Sequence, residues 1–521
     1  MVEPSHNLRL ILGLKLKNLR AERQASLKEV ASRAGLSISY LSELEQGKKY
    51  PKPGKMLQLA DALGVSYDEL VSLKVTDELW PLKKAVSSEF LQEFPFELFG
   101  LERQDLVRLI SNAPERAGAL IQTLVEVGRS YDVQVEHFLL SALRSYQQMH
   151  ANYFEDLEQE AQAFRTEQGW EPDRPLSKTM LEEVLQGNWS YRIDETTITD
   201  HPKLKSFRSV YADGDEPVLY LNGKLLEVQK AFILAREIGY RRLGLKQRAI
   251  TSSWIRVESF AQVLNNFQAS YFSGALLMDR RVLGTDLERF FEQESWAPEP
   301  LLDCMERFGA TPEMFLYRLT ELVPSQFGLD KIFFLRFQKR RGGAGVGLTK
   351  VFNLSGVPVP HGVGLAEHYC RRWPGIGLLE QTGDGSPFSH GAGDPQRGGQ
   401  TREPPSISSR VAVQRSHFVA HDADFLMIAL ARPLVLDPDI RSSVTIGFLL
   451  DRAFKRKVRF WDDPAIPRMQ VDLTCERCPL LPEECADRIA EPKIYTDHRV
   501  QEEKEQALAE LLSKTDPVAI G

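Results

Sequence analysis

Three of the chain's five cysteines fall in one short run, CERCPLLPEEC at residues 475–485, and a fourth, Cys370, lies in HYCRRW at residues 368–373. Thiols spaced C-x2-C and then C-x6-C read as metal ligands, because chains in reducing compartments rarely use structural disulfides. Cys475, Cys478 and Cys485 are thus three candidate ligands, with Cys370 brought in by folding as the fourth. Four thiolates suit a tetrahedral zinc ion or an iron–sulfur cluster. The spacing leaves both open, since Pro479 and Pro482 would keep the loop irregular and its amides free to point at sulfur in either case. Cys304 stands alone on a predicted helix and reads as core.

A different chemistry is suggested by FILAREIGY, residues 232–240. In the pattern His-Glu-x-x-His two imidazoles on one helical face grip a zinc ion, and the Glu acts as base on its water. Here Arg236 and Tyr240 stand at the two ligand positions. Arginine keeps its proton in a protein and offers no lone pair, so Arg236 repels a divalent cation. Only Glu237 remains, a base without its metal. Residues 216–243, EPVLYLNGKLLEVQKAFILAREIGYRRL, run strand, turn, helix and resemble the ImmA/IrrE type of gluzincin-like peptidase domain. The next helix of that family is similar to NFQASYFSGALLM, residues 266–278, with Asn266 where the third ligand, a Glu, would stand. With all three metal positions altered and the apolar frame kept, the scaffold reads as retained for binding, and no catalytic residue is expected. Arg192, Arg208, Lys224, Lys230 and Arg236 offer cations near its sheet and Tyr271 an aromatic face. Contacts to an anionic ligand are expected from Arg192, Arg208, Lys230, Arg236 and Tyr271.

The elements that must position these residues belong to a long, ordinary chain. Its 521 residues allow two to four domains, each with its own core, and 42% hydrophobic with 26% charged residues is a globular composition. There is no apolar run near membrane-spanning length and no signal-peptide pattern, so a cytoplasmic protein with no membrane partner is expected. The net charge is −7, yet residues 1–71 carry +3 and the remainder −10. A weakly basic head on an acidic body suits a small DNA-binding domain attached to a sensor.

Residues 7–71 read as five short helices. At their centre lies SLKEVASRAGLSISYLSELEQG, residues 26–47. Ser26 caps one helix with Glu29 closing a capping box, Gly35 supplies the turn, and Ser37 caps the next. Val30, Ala31, Leu36, Leu41 and Leu44 form the seam, leaving Ser37, Ser39, Tyr40, Ser42, Glu43 and Gln46 to face outward. The run resembles the helix-turn-helix of the Cro/C1 (XRE) family. That resemblance implies base contacts from the second helix in the major groove of an operator, and phosphate contacts from Lys48, Lys49, Lys52 and Lys55. One head reads one half-site, so a homodimer or higher oligomer is expected.

Residues 76–180 read as connecting helices, broken at Pro81, Pro95, Pro114 and Pro172, with an apolar cluster from Phe90 to Leu101 that reads as core. Short strands are expected across 189–223, a hairpin across 331–354 around Gly342 to Gly345, and a mobile loop at 380–407. The fold class expected is multidomain α+β. It comprises an all-α helix-turn-helix head at 1–74, a helical linker or dimerisation region at 75–185, an α+β degenerate gluzincin-like domain at 186–325 and an α/β Cys-rich domain at 326–521. The three motifs together resemble the bacterial short-chain fatty-acyl-CoA regulators, which control propionate and glyoxylate pathway genes. The resemblance implies an acyl-CoA effector and a [4Fe-4S] cluster, rather than zinc, on Cys370, Cys475, Cys478 and Cys485. Two rivals stand beside it: a redox-only iron–sulfur sensor, and a zinc peptidase that cleaves a repressor.

Overall fold

A computed structural model of the chain describes residues 6–71, 98, 135–251, 259–343, 345–360, 367–380 and 410–514. The expected apolar cluster near residues 90–101, save Leu98, and nearly all of the expected mobile loop lie outside the described residues. The described chain divides into two compact units. One contains residues 6–71 and 135–146 with a short piece at 259–264, and the other contains the rest from Gln147 onward.

The first unit begins with five helices, α1 (His6–Glu22), α2 (Leu27–Arg33), α3 (Ile38–Glu45), α4 (Pro53–Leu63) and α5 (Tyr67–Val71). Local chemistry sets their ends. Ser26 and Glu29 form the reciprocal capping box of α2, Ser37 accepts from the Tyr40 amide at the start of α3, and Gly35 adopts φ 61° in the turn between them. Val30, Ala31, Leu41 and Leu44 are buried together with Leu12, Leu16, Met56, Leu59 and Leu63, and Leu36 packs against them. Arg20 on α1 grips the buried Glu45 with two hydrogen bonds of 2.7 and 2.9 Å, fixing the C-terminal end of α3.

A helix α6 (Val135–Met149) leads to α7 (Glu155–Glu167) and α8 (Lys178–Trp189). There follow β1 (Arg192–Asp194), α9 (Thr197–Asp200), β2 (Ser209–Ala212), β3 (Val218–Leu221) and α10 (Glu227–Arg242). The strands form a three-stranded sheet in the order β1-β3-β2, with β1 parallel and β2 antiparallel to β3. Next come α11 (Phe260–Leu277), α12 (Arg280–Phe291), α13 (Glu299–Arg307) and α14 (Pro312–Phe327). Helices α10 and α11 approach closely at Gly239, where a Cβ would stand 3.1 Å from the Ala269 carbonyl oxygen. Cys304 is buried on α13, and burial pushes its thiol up to about 12.

The C-terminal part holds β4 (Ile332–Arg340), β5 (Val346–Asn353), α15 (Pro374–Glu380), β6 (Arg410–Phe418), β7 (Ala423–Pro433), β8 (Ile440–Leu449), α16 (Arg452–Lys457), β9 (Arg468–Val471) and α17 (Lys493–Lys514). The hairpin expected across 331–354 is β4 and β5. The six strands are ordered β5-β4-β8-β7-β6-β9, and every pair is antiparallel except β6 with β9. The α/β reading of this region is corrected accordingly: short links join β6 to β7 and β7 to β8, and such links cannot cross over between parallel strands. Both faces of the sheet are covered. Ile332, Phe334, Leu426, Ile428, Leu430, Val444 and Ile446 face a core that includes Phe315, Leu319 and Leu322 of α14. Phe333, Leu335, Phe337, Phe425 and Met427 face a second core with Cys370, Trp373 and Ile376. The period-two alternation thus places the peptidase-like helices on one side and a cysteine-bearing segment on the other.

Candidate functional site

On the recognition helix α3, Ser37, Ile38 and Ser39 are exposed, while Tyr40, Ser42, Glu43 and Gln46 are half-buried. Lys48, Lys49, Lys52 and Lys55 are all exposed. Lys49 pairs with Glu43 at 2.7 Å, and the ammonium groups of Lys49 and Lys55 lie 5.8 and 5.3 Å from the Tyr40 ring centre. Glu43, expected to face a base, is therefore tied to a lysine, which neutralises a charge that would repel phosphate. The sequence reading passed over Ile38, which is 49% exposed between the two serines and can meet a thymine methyl. Its signal was an apolar residue at a position the buried seam does not use. Lys52→Ala is expected to weaken binding to all duplex sequences alike, since among the described residues this exposed side chain has no ion pair to lose. The slope of log affinity against log salt should fall by about 1, as read by fluorescence anisotropy over a salt series.

The helix that resembles the metallopeptidase motif carries a different network. Glu237 is fully buried on α10 and accepts two hydrogen bonds from Arg248 at 2.7 and 2.6 Å, and a third from the Tyr191 hydroxyl at 3.3 Å. Arg248 lies between two aromatic faces, 3.7 Å from the Tyr211 ring centre and 4.2 Å from that of Tyr240. Burial alone would lower the guanidinium's pKa, but Glu237 holds it above its usual value. The segment carrying Arg248 is itself pinned. Asn265 donates to the Gln247 carbonyl at 2.7 Å, the Tyr211 amide to that of Ile250 at 2.8 Å, and Thr251 bridges to Val210. Of the three altered ligand positions, Tyr240 donates to Asn266 at 3.2 Å, and Arg236 is half-buried with its Nε buried and without a partner. A guanidinium now satisfies the carboxylate where a metal-bound water would be activated. Arg248 escaped the sequence reading because it follows the helix in no motif. The available signal was Glu237 itself, since a carboxylate in an apolar helix demands a cation.

The expected ligand contacts divide. Arg208 lies within electrostatic range of Arg236, whose charge helps to lower the Arg208 pKa after the larger effect of burial. Lys230 is corrected to a structural role, because it spans Glu195 at 2.7 Å and Glu227 at 3.0 Å. Tyr271 is corrected likewise: its ring is fully buried and its hydroxyl donates to Glu158 at 2.8 Å while accepting from the Phe154 amide at 3.2 Å. Arg192 is exposed and lies 3.9 Å from Asp194. Polarity at a motif position gave no information about which face of the element the side chain leaves from.

Cys370, Cys475, Cys478 and Cys485 are all buried free thiols. Backbone pairing joins their two segments: the Cys475 amide donates to the His368 carbonyl at 2.8 Å, the Cys370 amide to that of Leu473 at 3.3 Å, and Tyr369 bridges to Thr474. Trp373 donates from Nε1 to the Asp472 carbonyl at 2.8 Å and Arg488 to that of Cys475 at 3.1 Å, anchoring both sides. Burial pushes the Cys370 thiol up to about 12, and raises those of Cys478 and Cys485. The backbone pairing places the Cys370 segment beside the one that carries Cys475, and Cys370 lies within electrostatic range of Cys475 and Cys478. Among the described residues no three His, Cys, Asp or Glu side chains are gathered closely enough to hold a metal ion. The donor set suits a thiophilic group, whose positive charge would favour the thiolates that burial alone disfavours.

These geometries define a helix-turn-helix head and a peptidase-like segment whose buried carboxylate, Glu237, is paired with Arg248. Residues 11–73 match the family described as a helix-turn-helix domain, and residues 196–320 match the IrrE N-terminal-like domain. The uncharacterised HTH-type transcriptional regulator y4dJ of Sinorhizobium fredii is 42% identical over 72 residues, 14% of this chain and 91% of that protein. The HTH-type transcriptional repressor RghR of Bacillus subtilis is 37% identical over 60 residues, 11% of this chain and 44% of the relative. A solved Mycobacterium tuberculosis transcriptional regulator covers 67% of this chain and 92% of its own length, at 18% identity and a TM-score of 0.44. The chain belongs to the HTH-type transcriptional regulators, and its helix-turn-helix is a DNA-binding module. Among the described residues no helix is long and apolar enough to cross a membrane.

Proposed function

We propose that this regulator controls genes of short-chain fatty acid metabolism, of the propionate or glyoxylate type, in response to an acyl-CoA. It acts in the cytoplasm, as at least a homodimer, since one head reads one half-site. The observation that carries the effector reading is the capture of Glu237 by Arg248. A scaffold that keeps its helices while a guanidinium occupies its base has lost the means to activate water and kept the means to bind. Arg208 and Arg236 are the expected ligand contacts that remain. The repressor-cleaving alternative requires a metal beside Arg236, which the cation's charge opposes.

Cys370, Cys475, Cys478 and Cys485 would hold a [4Fe-4S] cluster. Zinc at about 2.3 Å from each thiolate would draw all four sulfurs around one point. A cluster interposes its own sulfides and accommodates a wider set. When bound, it supplies a redox-sensitive charge beneath the sheet. Trp373 and Phe418 are fully buried in the core that contains Cys370, and backbone pairing of Cys370 with Leu473 and of Cys475 with His368 joins the two segments that would carry the cluster.

The thermal midpoint of anaerobically purified protein, measured against a panel of acyl-CoAs with free CoA and acetate as controls, tests the effector reading. A ligand at 100 times its dissociation constant is expected to stabilise its unit by about 2.7 kcal/mol. A shift confined to certain acyl chains supports the reading. No shift with any of them overturns it and leaves the cysteines as the sensor. Iron and sulfide analysis of the same sample, with Cys475→Ser beside it, decides the cluster against zinc.

A further inference from the structure

One concentration of charge lies apart from the head and from the Glu237–Arg248 pair. On three strands the alternation that buries Phe334, Phe352 and Leu430 continues, on the same face, to Arg336, Lys350 and Arg432. Arg336 and Lys350 stand directly opposite each other across β4 and β5, and Arg432 lies one row further along, opposite Ser442. Like charges in register repel unless an anion sits between them. Glu313, in the first turn of α14, is that anion. It accepts from Arg336 at 2.8 Å and lies 3.9 Å from Lys350, whose ammonium stacks 3.5 Å from the Tyr317 ring centre.

One carboxylate does not balance what surrounds it. Glu313 also feels Arg208, and Arg208 feels Arg236; Arg432 feels both Glu313 and Arg208. Among the described residues no carboxylate lies within ion-pair distance of Arg208, Arg236 or Arg432. Arg236 buries an Nε with no acceptor at all. Arg208 is open to solvent on one side yet crowded enough on the others that desolvation lowers its pKa, and Lys350 is held down to about 8 by the same cause. Glu313 is shared by Arg208, Arg336, Lys350 and Arg432, with Arg236 beside Arg208 and, of these five cations, Glu321 acting only on Lys350. Such crowding costs repulsion and desolvation that a packing role would avoid by using apolar side chains.

We propose that Arg208, Arg236, Arg336, Lys350 and Arg432 form the binding site for a small ligand bearing at least two phosphate groups, with Glu313 as the internal counter-ion that occupies the site when the ligand is absent. Four of the five cations are arginines, whose planar forks match phosphate oxygens two at a time. The site takes Arg208, Arg236 and Glu313 from the peptidase-like segment and Arg336, Lys350 and Arg432 from the C-terminal sheet. Its occupant would couple those two parts of the unit. The inference deepens the effector reading, since the phosphates of an acyl-CoA are of this class.

The test is calorimetric titration of the full chain with inorganic pyrophosphate, and separately with propionyl-CoA, for wild type, Arg236→Gln, Arg432→Gln and Glu313→Gln. Circular dichroism confirms that each variant is folded. Pyrophosphate is expected to bind once per chain. Each arginine variant should weaken it about tenfold or more, the value of one lost charge-assisted contact, and Glu313→Gln should strengthen it by removing the competitor. Absence of pyrophosphate binding, or binding indifferent to Arg236→Gln and Arg432→Gln, overturns the site. Propionyl-CoA binding that ignores all three substitutions also overturns the site while sparing the effector reading. Pyrophosphate binding without propionyl-CoA binding keeps the site and removes that effector. Displacement of pyrophosphate by random duplex DNA would overturn the small-ligand assignment in favour of a nucleic-acid contact.

Discussion

Replacement of Arg318 by methionine is expected to lower the stability of the larger unit by about 3–5 kcal/mol, the cost of leaving a buried charge without its partner. Arg318 on α14 is fully buried and donates to Glu158 of α7 at 2.6 and 2.8 Å, and to Glu321 at 2.8 Å. Tyr271 of α11 completes the network through Glu158. Three helices of the retained scaffold are therefore fixed by one guanidinium. Burial holds Glu321 up at about 8, above the ordinary carboxylate range despite Arg318. The folded state then binds more protons than the unfolded chain between the ordinary carboxylate pKa and about 8, so this group's stabilising contribution is present at acid pH and lost as pH rises through that window. Glu321→Gln should remove that slope. Chemical denaturation of each variant at pH 5 and pH 8 measures both effects, and an Arg318→Met protein as stable as wild type would contradict the network.

Arg248→Met is expected to cost a similar amount, about 3–5 kcal/mol, because it strands Glu237 at zero exposure. The double variant Arg248→Met with Glu237→Gln should recover most of the loss, since no uncompensated charge remains. Neither protein should cleave peptide substrates with or without added zinc, as Arg236, Tyr240 and Asn266 still stand at the metal positions. Denaturation midpoints together with a zinc-supplemented proteolysis assay read both points. Zinc-dependent cleavage by the Arg248→Met protein would show that the carboxylate had been masked and its metal site kept.

The parts of this molecule that were legible in sequence are those determined locally. Ser26, Glu29, Gly35 and Ser37 announce the ends of α2 and α3 because caps and left-handed turns depend on a few neighbouring residues. The hairpin of β4 and β5 was equally visible from its alternation and central glycines. Cys370 was expected beside the Cys475 segment because a fourth thiol was needed, and backbone pairing does join those two segments. What remained hidden depends on side chains meeting across the fold. Lys230 looked like a ligand contact and is held by Glu195, and Tyr271 looked like a stacking face and is a core hydrogen-bond donor. Arg336, Lys350 and Arg432 lie on three strands whose shared face becomes apparent only once the register is known. The α/β expectation for residues 326–521 implied parallel strands, whereas all the strand pairs but β6 with β9 are antiparallel. Both faces are covered, but the cover on one side is the short helix α15 with its cysteine segment, which leaves the strands free to pair antiparallel.

In the proposed function, ligand binding changes how the head engages DNA. An effector shifts an operator equilibrium only by its differential affinity for the two arrangements. The direct measurement is the affinity of anaerobically purified full-length protein for an operator selected from random duplexes, with and without saturating propionyl-CoA at fixed salt. The account predicts a change of about fivefold or more in either direction, the lower end of ordinary allosteric coupling. Identical affinities at saturating ligand would contradict it.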